Sequence, residues 1–309
     1  MTAILHRLRE DEPVVFRLLV LLSWLAPEPV PLDLVPLHPE TVPAPLSEVA
    51  GDPAWFADAV LLLRRHDLAE VTDDDIRVHP GVAVVARLRS AGTPEDGRRW
   101  AAAAVRLLYA EVPASARRDP AGWADWPRYR PHVQAACEAR RDLSLVPDEA
   151  AVLLLMLGRD ALRDDDPGAA RSLFVRAHGA IRDHLDEELA GAVAVDLVLG
   201  LRAAGAHDEA WQQGSGLLAE YRRALGEDHG RTLTLAHSLG ADLNRLGRHQ
   251  EAQQLYADTL RRCRRVLGPD DPRTLVCAVH LVRTLHRLGQ QEQARQLGED
   301  TLTRCRRTL

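Results

Sequence analysis

The chain contains no lysine. All 39 basic residues among its 309 are arginine. This excludes a phosphate-binding loop closed by Gly-Lys-Ser/Thr, which needs the lysine ammonium, and it excludes a Schiff-base lysine. Aromatic residues are scarce, at 4%, while Ala, Leu and Arg dominate. Those three residues favour helix, which argues against an all-β sandwich or barrel. The four cysteines (Cys137, Cys263, Cys277 and Cys305) include no Cys-x-x-Cys pair. A dense disulfide framework is therefore not expected, and the thiols should be reduced. The longest apolar run, Leu18 to Ala26, is interrupted by Ser23 and followed by Pro27. It is too short to span a bilayer, and the N-terminus lacks a basic-then-apolar signal pattern. A soluble, cytoplasmic protein is expected.

Formal net charge is −6, unevenly distributed. Residues 1–92 carry 8 Arg against 14 acids, residues 93–227 carry 17 against 22, and residues 228–309 carry 14 against 9. Only the last third is basic.

Residues 13–26 read as one buried helix, with Pro13 tolerated near its start and Pro27 and Pro29 ending it. Seven prolines between 26 and 45 leave room only for a short helix around Leu32–Leu37. A second helix spans 53–66. Leu68–Val71 and Ile76–His79 then alternate like two short strands, joined across Thr72-Asp73-Asp74-Asp75. A helix from Gly81 to Ser90 closes this winged-helix pattern, and Ala91-Gly92-Thr93-Pro94 marks a boundary. Helices at 95–112 and 124–142 follow.

Beyond residue 147 the chain repeats. LGEDHGRTLT begins at Leu225 and LGPDDPRTLV at Leu267, an offset of 42. At the same offset Leu246-Gly247 matches Leu288-Gly289, Ala252 matches Ala294, and Arg262-Cys263-Arg264 matches Arg304-Cys305-Arg306. One repeat upstream, Gly205 and Ala210 keep the spacing. A further repeat back, Ala170, Arg182 and Leu185 match at 40. Small residues recur where helices must approach closely, as at Gly158, Gly240, Ala170 and Ala252. No hairpin can bury its apolar face alone, so hairpins must stack. The expected fold is mainly α: a winged-helix domain over 1–92, a helical connector over 93–146, and about four helix hairpins over 147–309 forming a right-handed α-solenoid.

The LG-x-D-x-x-R-T-L link and the L-G-x-x-x-x-A element resemble tetratricopeptide repeats of the kinesin-light-chain-like subtype. Phe16 through Ala26-Pro27-Glu28-Pro29 and Pro31-Leu32-Asp33 resemble the winged-helix segment of bacterial STAND signalling proteins. Trp100, Trp123-x-x-Trp126 and Pro131-His132-Val133 resemble their connector. In that family an NB-ARC module binds ATP and the repeats sense a partner. Here the NB-ARC part and its Walker motif are missing, so ATPase activity does not transfer. The chain is then a stand-alone derivative or one part of a longer protein, with an NTPase module as a partner or as the missing domain.

A DNA-reading helix needs basic or amide side chains at its N-terminal half. The candidate helix opens instead with Asp52 and Asp58, and the wing tip is three aspartates. A packing domain is the better reading.

In the repeats, the first helix of each hairpin lines the groove. Helical periodicity selects Arg159 and Arg163, then Arg202, then His237, Asn244 and Arg245, then Arg283, His286 and Arg287. Asp160, Asp196 and Asp242 are expected on other faces. Arginine pairs bidentately with carboxylates, so the groove suits an acidic peptide or a C-terminal carboxylate. A solvated, partly self-paired arginine surface is the plainer alternative.

Other constellations are weaker. Asp196, Ser238 and His280 occupy one position in successive repeats, but equivalent helices about 10 Å apart do not make a triad. Arginines beside Cys263 and Cys305 could lower a thiol pKa. The runs Arg261–Arg265 and Arg304–Arg307 could hold an anion, though solvated helix ends fit them better. Histidines six apart, such as His178/His184 and His280/His286, do not share a helix face, so no metal is implied. Trp123, Trp126 and Tyr129 read as connector core. No cofactor is implied. The expected function is non-enzymatic recognition of a protein or peptide in a STAND-like signalling system, without a membrane or nucleic-acid partner. A DNA-binding regulator and an enzyme acting in the groove through His237 or His286 remain alternatives. The last repeat, without a polar cap, could pair with a second copy.

Overall fold

The computed structural model describes all residues except 1, 91–93, 118–119, 139–140, 182–187, 204 and 309. The expected boundary at 91–93 and the repeat positions Arg182, His184 and Leu185 lie outside the described residues. The elements are α1 (Thr2–Asp11), α2 (Pro13–Ser23), β1 (Val30–Pro31), α3 (Leu34–Leu37), α4 (Leu46–Val49), α5 (Pro53–Arg65), β2 (Ala69–Val71), β3 (Asp75–Val78), α6 (Pro80–Ser90), α7 (Pro94–Glu111) and α8 (Trp126–Ala136). They continue as α9 (Pro147–Arg163), α10 (Pro167–Ala180), α11 (Glu188–Ala203), α12 (His207–Ala224), α13 (Gly230–Arg245), α14 (His249–Val266), α15 (Pro272–Arg287) and α16 (Gln291–Thr308). The fold is mainly α. The chain divides into two compact units, residues 1–160 and 161–309.

The first unit is built on α2, whose Val15, Phe16 and Leu18 to Leu22 are all buried. An apolar face this wide needs cover on several sides, and α2 packs against α1, α6 and α7. The helix α1 was not expected. Asp52 caps α5 by accepting from Ala54 N at 2.9 Å, as residues of its type do at helix starts. β2 and β3 form the expected hairpin, and β1 adds an unforeseen third strand in the order β1-β3-β2. Val30 pairs with Ile76, and Leu32 N donates to Asp74 O at 2.9 Å. Proline is tolerated on such an edge strand, so the proline-rich stretch holds more than a short helix. The helix expected over 124–142 is shorter and ends at Ala136. Its His132 is fully buried and donates from Nε2 to Pro29 O at 3.1 Å. Trp123 stacks on Tyr129 at 5.1 Å, beside the buried Trp126.

In the second unit successive helices pack as antiparallel neighbours, and one core joins Leu243, Tyr256, Leu260, Cys277, Leu281 and Ala294. The Leu-Gly elements close the first helix of each hairpin. Gly247 has φ +74° and Gly289 φ +73°, and Arg248 N and Gln290 N donate back to Leu243 O and Leu285 O. This is a glycine helix stop whose left-handed backbone a side chain would strain.

Size is exchanged across each hairpin. Val198 faces Gly214, Gly240 faces Tyr256, and Val282 faces Gly298. A Cβ added at Gly240 would lie 2.5 Å from the Tyr256 ring, whereas one at Gly298 would lie 3.8 Å from Val282. The middle hairpin therefore carries its large residue on the second helix, and its neighbours carry theirs on the first. Gly240→Val should destabilise by about 1–3 kcal/mol through overpacking. Tyr256→Gly should cost about 3–5 kcal/mol by leaving a cavity. The double variant restores the Val/Gly arrangement and should fall short of the sum by at least about 1 kcal/mol. Urea denaturation measures all three, and strict additivity would contradict the exchange.

Candidate functional site

The sequence-selected residues separate into three groups. Arg159 lies in the first unit and donates to Arg117 O at 2.6 Å. There the buried Asp160 is ion-paired with Arg130 at 2.9 Å. Arg163, Arg202, His237, Asn244, Arg245, Arg283, His286 and Arg287 belong to the second unit.

Asp242 corrects the expectation that acids avoid the groove residues. It is fully buried and chelates Arg202, with Nε to Oδ1 at 2.5 Å and Nη2 to Oδ2 at 3.0 Å. Arg202 Nη2 also reaches Ser238 O at 3.0 Å. A buried carboxylate is costly unless paired, so Arg202 is committed to the scaffold. Asn244 is also structural. Its Nδ2 donates to Thr284 Oγ1 at 2.8 Å, and its Oδ1 meets His249 Nδ1 at 3.0 Å.

Arg163 ends α9, and α13 and α15 carry the remaining residues. The rings of His237 and His280 meet edge-on at 4.8 Å, each within 6 Å of the Tyr256 ring. Tyr256 Oη lies 3.3 Å from His280 Nδ1, and His237 Nε2 is buried without a hydrogen-bond partner. Burial, then the positive neighbours His280 and Arg202, lowers the His237 pKa to about 4. Burial, Arg283 and Arg202 lower that of His280. Both rings are neutral at pH 7.

His237 lines an apolar cavity of about 250 Å³ with Leu233, Cys263, Leu267, Val276 and Cys277. His280 lines a second, of about 130 Å³, with Ala241, Asn244, Arg245, Arg283 and Arg287. No acid lines this second cavity. Among the described residues Arg245 and Arg283 make no ion pair or hydrogen bond, and Arg287 only donates to Asn244 O at 3.3 Å. Four of the selected residues thus come together, while His286 is exposed and lines neither cavity. His280, which the repeat sets in register with Asp196 and Ser238 and which was not among the selected groove residues, joins them in this second cavity.

The other candidates are absorbed by the scaffold. Arg262 and Arg265 pair with Asp228 of the Leu-Gly-Glu-Asp loop, at 3.1 and 2.6 Å. Arg304 and Arg307 pair with Asp270, at 3.0 and 2.8 Å, repeating the clasp. Within these runs Arg262, Arg265, Arg304 and Arg307 are paired with loop carboxylates rather than merely solvated. Burial raises the thiol pKa of Cys263 and pushes that of Cys277 up to about 12, outweighing nearby arginines. Among the described residues no group of three or more ligating side chains could hold a metal, and no helix is long and apolar enough to cross a membrane.

Residues 231–307 match the tetratricopeptide-repeat family model. No curated protein matches the chain. A Podosopora anserina protein with nearly identical TPR-like repeats, of kinesin-light-chain type, is 19% identical. That likeness covers 66% of this chain and 97% of that one, with a TM-score of 0.48. BtubC (BKLC) from P. vanneervenii is 15% identical over 72% of this chain and 86% of that one, with a TM-score of 0.49. A STAND protein with a tetratricopeptide repeat sensor, from Pyrococcus horikoshii, is 13% identical over 96% of this chain and 52% of that one, with a TM-score of 0.45.

The lowered His237 pKa has a testable sign. The unfolded chain binds this proton near pH 6.5 and the folded one near pH 4. The unfolded state holds more protons between these values, so the group's contribution to stability is lost as pH falls from 6.5 towards 4. His237→Phe should flatten that part of the decline in the urea midpoint measured from pH 7 to 4.5. An unchanged slope would show His237 titrating as an exposed group.

Proposed function

We propose that this chain is a non-enzymatic recognition module that holds an acidic peptide, or a peptide's C-terminal carboxylate, between α13 and α15. The observation that carries this reading is the cavity of Arg245, Arg283 and Arg287, which no acid lines. Arg202, Arg262, Arg265, Arg304 and Arg307, by contrast, are tied to Asp242, Asp228 or Asp270. Two unpaired guanidinium forks on adjacent helices suit one carboxylate each, bidentately. His280 joins the arginines in this cavity, and the His237 ring meets it edge-on from the neighbouring apolar cavity.

The order of parts supports a place in a STAND-like bacterial signalling system. A winged-helix-like domain over 1–92 and a connector over 93–146 would precede repeats over 147–309, in a cytoplasmic protein working with an NTPase module. The three-stranded sheet packed among helices supports the first of these assignments. Asp52 and Asp58 on α5, with Asp73 and Asp74 at the β2–β3 turn, weigh against duplex DNA as the ligand of that domain.

A fluorescent hexapeptide of alternating Asp and Leu with a free carboxylate tests the groove by anisotropy. The wild type should bind, more weakly as salt rises. Arg245→Ala/Arg283→Ala should weaken binding at least about tenfold, or 1.4 kcal/mol. Arg264→Ala, away from the cavity, should leave it unchanged. Absence of binding at millimolar peptide, or equal binding by the double variant, would reject the groove.

A further inference from the structure

The first unit holds a second unpaired arginine cluster that the repeat groove does not explain. A cavity of about 350 Å³ is enclosed by α1, α2, α6, α7 and the Pro43-Ala44 segment. That volume lies in the range of small-molecule sites, about 300–1,000 Å³. Arg9, Arg17, Arg89 and Arg99 come to it from four different helices, with Asp96 as the one carboxylate of the lining.

Two of the four are anchored by a single bond each. Arg9 Nη1 donates to Arg89 O at 3.3 Å, and Arg17 Nη1 donates to Ala44 O at 2.9 Å. A guanidinium has five N–H donors, so both keep most of their fork unused. Among the described residues the guanidiniums of Arg89 and Arg99 bond to nothing, and none of the four is ion-paired. This stands out because residues 1–92 contain 14 acids and only 8 arginines, three of which line this cavity. Four arginines gathered around one carboxylate repel one another, and a bound anion relieves that repulsion.

Apart from Ser90, the rest of the lining is apolar. Phe16, Val20 and Trp100 are each at most 9% exposed, and they line the cavity with Pro13 and Pro43. Arg99 and Pro43 also line an adjoining hollow of about 430 Å³ with Arg106 and Thr41. We propose that this cavity binds a small phosphate-bearing molecule with an apolar ring, its phosphate on the four guanidiniums and its ring on Phe16 and Trp100. Phosphate suits the arginine fork bidentately, and the aromatic and proline side chains give the body of the ligand a dry surface. The inference is independent of the repeat groove.

Calorimetric titration of the full chain tests it with three probes: 1-naphthyl phosphate, inorganic phosphate and 1-naphthol. Naphthyl phosphate should bind at least about tenfold more tightly than either of the others. Arg89→Ala/Arg99→Ala should weaken it at least about tenfold, while Arg245→Ala/Arg283→Ala should leave it unchanged. Arg99→Glu changes one exposed side chain, keeps the fold testable by its thermal melt, and should also weaken binding. No binding at millimolar probe, inorganic phosphate binding as tightly as the ester, or affinity indifferent to Arg89 and Arg99 would each overturn the proposal.

Discussion

A helical hairpin of this length cannot bury its own apolar face, and the second unit depends on that constraint. Leu243, Tyr256 and Leu260 of one hairpin find their cover on Cys277, Ala278 and Leu281 of the next. Stacking sets α13 beside α15, and close approach within each hairpin requires one partner to be small. The Val198/Gly214, Gly240/Tyr256 and Val282/Gly298 pairs satisfy this in alternating order. The exchange in the middle hairpin brings the Tyr256 ring against His237 and His280, so the place of His280 in the candidate groove follows from a packing requirement.

Charge is arranged on top of that packing. Arginine serves two ends in this protein. Arg202 answers a buried aspartate, and Arg262, Arg265, Arg304 and Arg307 tie second helices to the aspartates of the preceding loops. Those guanidiniums are already spent on holding helices together. Arg245 and Arg283 in one unit, and Arg89 and Arg99 in the other, are not. Net charge says nothing about this difference: Arg89 sits in the stretch 1–92, where acids outnumber arginines.

Much of the fold was legible in advance. Helices α2, α5, α6 and α7 and the β2–β3 hairpin follow from periodicity and proline punctuation, and the hairpins follow from the 42-residue repeat. The third strand was not legible, because a two-residue edge strand in proline-rich sequence carries no alternation. The groove was only partly legible. Arg245, Arg283, Arg287 and Asn244 do gather, but Asn244 is bound to Thr284 and His249 and serves the scaffold. Asp242 was expected on another face, yet it is buried and chelates the selected Arg202, 40 residues away.

The sequence by itself determined the helix hairpins, their period and their turns. These rest on local physics: which residues tolerate a helix, where proline ends one, and where only glycine accepts a positive φ, as at Gly247 and Gly289. Only the tertiary structure decided which arginines are committed and which are left to bind. Arg202 and Asp242 lie 40 residues apart, and Arg265 and Asp228 lie 37 apart. Whether such side chains meet depends on how separate helices are set side by side, and the periodicity of a single helix carries no information about that.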